Sequence, residues 1–201
     1  MDDVAAGEKV SAQLEDWLSG KAPKTVGSLI DVFGQKSFGI VFVVLMALPA
    51  LPVPTGAASH VLEVITMLLA LELLVGRREI WLPDRWKGKE LAGGSRKGFA
   101  TRLLRFIRWF ERFSRRRLPH LFRHRLSGAV FGALVLVLSA TAFLAPPFSG
   151  LDTLPALGVV ALSLGVVLED FLLAAAGVVV GAIGAVLVVG LGGAVVRWLG
   201  N

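Results

Sequence analysis

The sequence predicts an all-α, polytopic helical membrane protein, and three observations carry that prediction. Of its 201 residues, 55% are hydrophobic, a larger share than an ordinary soluble domain holds. The apolar residues gather into runs almost free of charge, at 39–48, 61–75, 127–145, 154–168 and 171–196. Several of these reach or approach the ~20 residues that cross a hydrocarbon core as a helix. The charge is as uneven as the hydropathy: sixteen of the 21 basic residues, but only four of the 15 acids, fall between Arg77 and Arg125. By the positive-inside rule this segment stays on the cytoplasmic side. A helix satisfies its own backbone inside lipid, which is why the apolar runs are read as helices.

The chain divides into an N-terminal amphipathic segment (1–36), a first hairpin (37–76), a basic segment (77–125) and a second hairpin with a C-terminal helix (126–201), all within one membrane domain. The N-terminus is acidic and lacks the basic start and early apolar stretch of a secretory signal, so insertion is expected to rely on internal spans. Val10, Leu14, Trp17 and Leu18 recur at helical spacing opposite Glu15 and Asp16, and Gly20 ends that helix. Val26, Leu29, Ile30 and Phe33 form a second amphipathic stripe, and both helices are expected at the membrane surface or on the protein.

The run that begins at Phe38 meets Pro49, Pro52 and Pro54 within six residues, which breaks a helix or turns it back inside the membrane. Residues 61–75 then return to Arg77, so that an even number of crossings keeps both flanks of this first hairpin on the cytoplasmic side. The second half repeats the order: a basic residue, Gly128, an apolar run, Pro146-Pro147 with Ser149 and Gly150, a second run, then Glu169-Asp170. The pattern predicts two pseudo-repeats, and opposite orientations would make them the inverted repeat of many transporters. Between them, residues 99–120 interleave Leu103, Leu104, Phe106, Ile107 and Phe110 with Arg102, Arg105, Arg108, Arg112, Arg115, Arg116 and Arg117. This is a basic amphipathic helix suited to anionic lipid headgroups, and a nucleic-acid partner is not expected for a segment tethered to the bilayer. In 171–196, Gly177-x-x-x-Gly181 permits close helix approach, more readily within the protomer than across a dimer.

The candidate functional residues cluster at the two proline elbows. Broken helices leave backbone groups at membrane depth, tolerated only where they are buried in protein or line a polar cavity. Pro52, Pro54, Thr55 and Gly56, with Ser149 and Gly150, would then present hydroxyls and amides to a polar or anionic ligand; the bland alternative is a pair of surface turns. His60 and Glu63 stand three apart on one helical face, as a proton relay or an ordinary interfacial pair requires. Asp152, after the second elbow, is their nearest counterpart or a helix cap. Glu72 lies within an apolar run, a functional position by default, or else one paired to Arg77 or Arg78. Glu169-Asp170 most simply marks a turn.

Enzyme signatures are missing: no phosphate loop, no nucleophile elbow, and no metal-spaced set among His60, His120 and His124. The chain has no cysteine. No catalytic residue, metal or cofactor is therefore expected, and a lipid-linked-intermediate enzyme using Glu63 and His60 is the remaining enzymatic reading.

The stretch Ala47-Leu48-Pro49-Ala50-Leu51-Pro52-Val53-Pro54-Thr55-Gly56, its lead-in Phe33-Gly34-Gln35-Lys36-Ser37-Phe38-Gly39 and the exit Gly76-Arg77-Arg78-Glu79-Ile80-Trp81-Leu82-Pro83 resemble the ExoD family of exopolysaccharide synthesis proteins. The resemblance runs from Ser11 to the C-terminus. It implies a bacterial inner-membrane protein linked to exopolysaccharide production, and it implies no reaction and no set of binding residues. Two readings follow. One is a small transporter of a polar or ionic solute, expected as a homodimer. The other is a non-transporting accessory that anchors polysaccharide assembly proteins through the basic segment.

Overall fold

The computed structural model describes residues 10–20, 25–34, 36–52, 57–77, 80–81, 105, 108–109, 125–146 and 149–199. Among them are seven helices: α1 (Val10–Ser19), α2 (Val26–Phe33), α3 (Lys36–Met46), α4 (Ala57–Leu74), α5 (Arg125–Leu144), α6 (Thr153–Leu168) and α7 (Phe171–Leu199). The all-α expectation holds. Three helices are long and apolar enough to cross a membrane, at Ala57–Leu74, Ser127–Leu144 and Phe171–Leu191, while α3 and α6 are shorter apolar helices. Their outward faces are coated with apolar side chains such as Val61, Leu68, Val137, Ile183 and Val186, all more than half exposed. Such a surface suits lipid and would be a liability in water.

The short amphipathic helices form as their apolar spacing predicts. Leu14 and Trp17 of α1 and Phe33 of α2 are buried in a cluster with Ile40 of α3 and Val167 and Leu168 of α6. A reciprocal cap starts α2: Thr25 Oγ1 accepts the Ser28 N–H at 3.2 Å, and Ser28 Oγ accepts the Thr25 N–H at 3.1 Å. Ser28 Oγ also accepts the Trp17 indole N–H at 3.1 Å, which ties α1 to α2.

Helices α3 and α4 form one hairpin, α5 and α6 the other, and the packing between them is reciprocal: α3 lies on α6, and α4 on α5. Their relative direction can be read from individual contacts. Lys36 at the start of α3 pairs with Glu169 at the end of α6, at 2.8 Å. Gly128 and Gly132, near the start of α5, lie against Leu73 at the end of α4. At the other end, the His60 ring of α4 meets the Phe143 ring of α5 at 5.3 Å between centroids. Both hairpins therefore rise from the same end of the bundle, so the expected inverted repeat is corrected to two hairpins that run the same way. Residues 77 and 125, the flanks of the basic segment, also leave from that end, where α1 and α2 pack.

Helix α3 ends at Met46, just ahead of Pro49 as the prolines predict, and the chain continues into a bonded turn. Ala47 N–H bonds to Val43 at 3.0 Å and Ala50 N–H to Met46 at 2.9 Å, carrying helical bonding past Pro49. Proline forfeits only its own bond, to the carbonyl of residue 45, and its ring is buried here. Residues 53–56 and 147–148 lie outside the described residues, so Pro54, Thr55 and Gly56 do too. Of the expected basic helix, Arg105, Arg108 and Trp109 are helical and exposed, and Arg108 pairs with Glu15 of α1. Arg102, Arg112, Arg115, Arg116 and Arg117 lie outside the described residues.

Glycine spacing sets how α6 meets α7. A side chain at Gly158 would collide with Gly181, one at Gly177 with Leu162, and one at Gly184 with Pro155. Gly177-x-x-x-Gly181 is thus used for close packing within the chain. The turn before α7 uses both acids: Glu169 adopts φ 57° as the left-handed cap of α6, and Asp170 Oδ1 accepts the Leu172 N–H at 3.0 Å at the start of α7.

Candidate functional site

The buried stripe of α4 is Ser59, Glu63, Thr66, Ala70 and Leu73, at spacings of four, three, four and three. That is one helical face. Its half toward the basic end is apolar, and its half toward the elbows is polar. Glycines 128 and 132 let α5 approach the apolar half; a side chain at Gly132 would sit 2.9 Å from the Ala70 carbonyl oxygen. The close packing fixes the register of the two helices, and with it what the polar half faces.

Glu63 is the center of that half. It is fully buried, and its Oε2 lies 2.8 Å from His60 Nδ1. His60 keeps 24% of its side chain exposed and packs edge-on against Phe143, so it stands between Glu63 and the elbow end. Glu63 Oε1 is buried with no hydrogen-bond partner among the described residues. Thr66, one turn deeper, donates to the Leu62 carbonyl at 2.8 Å. Asp152, at the mouth of α6, lies within electrostatic range of Glu63. It occupies the position before the helix, yet its carboxylate makes no capping bond. Glu63 sits six residues inside α4, about 9 Å from the helix start. The arrangement is a carboxylate, an imidazole and a second carboxylate at the elbow end of a span, able to hold and pass a positive charge.

The remaining candidates divide. His60 and Glu63 pair on α4, and Asp152 of the second hairpin lies within electrostatic range of Glu63. Ser149 is spent locally: its Oγ donates to the Pro146 carbonyl at 2.7 Å and accepts the Leu151 N–H at 3.2 Å, while Gly150 at φ 70° completes the turn. Pro52 is exposed in a bend. Glu72 lies at the opposite end, where its Oε2 accepts the Trp81 N–H at 2.9 Å and Arg77 lies over the Trp81 ring at 5.9 Å. It anchors the chain leaving α4, with Ile80 buried beside it.

Sequence reading missed the serines of the same interface. Ser59 and Ser139 are 1% and 0% exposed, and Ser139 Oγ has no partner among the described residues. The signal was present: Ser139 falls on the stripe of Gly128, Gly132 and Phe143 that faces α4.

Comparison with known proteins agrees over most of the length. The family described as "Exopolysaccharide synthesis, ExoD" matches residues 10–190. An uncharacterized protein of Synechocystis sp. is 28% identical over 184 residues, covering 90% of this chain and 86% of its own. No solved structure matches.

Proposed function

From the premise that this chain belongs to the ExoD family of exopolysaccharide synthesis proteins, we propose that it is a small inner-membrane transporter of a polar or ionic solute. The observation that carries the reading is Glu63, a fully buried carboxylate within a membrane-length helix, backed by His60 and faced by Asp152. An ionisable group at such depth is costly, and the usual return on that cost is an ion or proton pathway. Both hairpins bring their elbows to one end, so a solute entering there meets His60 and Asp152 before Glu63. The basic segment faces the cytoplasm in this reading, and the elbows face outward.

The exposed helical residues Arg105 and Trp109, docked through Arg108 onto Glu15, favor a second reading. In it the chain anchors polysaccharide assembly proteins or anionic lipid and carries nothing. Variants separate the two in cells. Under the transporter reading, Glu63→Gln and Asp152→Asn lower polysaccharide output at normal protein levels, while Arg105→Glu with Trp109→Ala does not. The reverse result moves the assignment to the accessory role, and unchanged output in all three variants removes the basis of both.

A further inference from the structure

Glu63 and Ser139 are the two buried groups of the α4–α5 interface that each keep an oxygen without a hydrogen-bond partner among the described residues. A buried polar atom left in that state costs its full desolvation, so a native interface holding two of them calls for a third group. The register places them together. On α5, Gly128, Gly132, Ser139 and Phe143 follow at spacings of four, seven and four, which is one helical face. Three of these four touch α4: Gly128 and Gly132 near Leu73, and Phe143 at His60. The helices are antiparallel with equal rise, so Ser139, between those contacts, comes level with the turn from Glu63 to Thr66.

The chemistry of the pair selects its ligand. A carboxylate oxygen and a hydroxyl oxygen are hard donors that suit hard cations and not thiophilic or imidazole-seeking metals. The described residues contain no group of three His, Cys, Asp or Glu side chains fit for a metal ion, and a site with a single carboxylate suits a monovalent cation better than a divalent one. His60 holds Glu63 Oε2 and orients Oε1, and Asp152 adds negative potential on the elbow side. We propose that Glu63 Oε1 and Ser139 Oγ are the protein ligands of a small, sodium-sized monovalent cation held between α4 and α5, with water completing its shell. The proposal deepens the transporter reading but depends on it only for what the ion does once bound.

The test is thermal melting of the detergent-solubilized full chain in NaCl, LiCl or KCl against choline chloride at equal ionic strength. Ligand binding to the folded state raises the melting temperature with concentration. Sodium or lithium is expected to raise it above the choline control. Glu63→Gln abolishes the response, and Ser139→Ala raises the sodium concentration needed by about tenfold. Ser163→Ala removes another buried, unpartnered hydroxyl, one on α6 beside Gly39, and leaves the response intact. No response to any of the three cations, or an undiminished response in Ser139→Ala, overturns the proposal. The Ser139 and Ser163 variants decide it even where Glu63→Gln fails to fold. A chain that shows the cation response but carries no flux upholds the site and overturns transport; flux without the response does the reverse.

Discussion

Glu63 has one satisfied oxygen and one that is not, and His60 alone supplies the satisfied one among the described residues. Replacing His60 by Ala leaves the whole carboxylate without that partner, at a cost of about 1–3 kcal/mol. Unfolding of His60→Ala in detergent should show a loss in that range, and no loss would mean that the pair is not formed. Ser139→Ala runs the other way: it deletes an unpartnered hydroxyl, so stability measured without added sodium should hold or rise. The His60–Glu63 pair was legible because three-residue spacing on a helix puts two side chains together whatever the tertiary structure. Ser139 was not legible, since its importance depends on the register of a second helix. Glu72 adds a partner that spacing did not show: its carboxylate takes the Trp81 N–H once the chain folds back, while Arg78, one of the two partners read from the sequence, lies outside the described residues.

The glycines of α7 and the acids before it explain at the element scale why a long apolar run packs on its neighbor. Gly158 and Gly181 meet backbone to backbone, so Gly158→Val forces α6 and α7 apart. Overpacking of this kind costs about 1–3 kcal/mol, and the variant should unfold at lower denaturant than the wild type. Asp170 caps the first turn of α7 through its Oδ1, and Asp170→Ala should lose about 1 kcal/mol in the same measurement. Both features could be read in advance as a close-packing motif and a turn. The end of α3 just ahead of Pro49 could be read as well, but the bonded turn that carries the chain through Pro49 could not, because it depends on the burial that the proline ring gains.

The whole molecule has two unlike ends. One carries α1, α2, the Lys36–Glu169 pair and both exits of the basic segment; the other carries the elbows with His60 and Asp152. Charge distribution along the sequence was enough to place residues 77 and 125 on one side. It was not enough to fix the sense of the two hairpins, because a polarity pattern is the same whichever way the second copy is turned. The contacts of Lys36 and of Gly128 settle that sense. The chain has no native cysteine, so single substitutions report topology cleanly. Trp81→Cys and Ser149→Cys, both at exposed positions of opposite ends, should react with an impermeant thiol reagent from opposite sides of the membrane. Labeling of both from one side would contradict a bundle whose elbows face away from its basic segment.

In the proposed transport role, the buried Glu63 carboxylate at the elbow end carries charge across the bilayer. Purified chain in proteoliposomes, with proton and sodium movement followed across an imposed gradient, measures this directly. Flux is expected in the wild type and should disappear in Glu63→Gln, while Glu72→Gln, at the other end of α4, retains it. Absence of flux under every gradient, or flux undiminished by Glu63→Gln, would contradict that role.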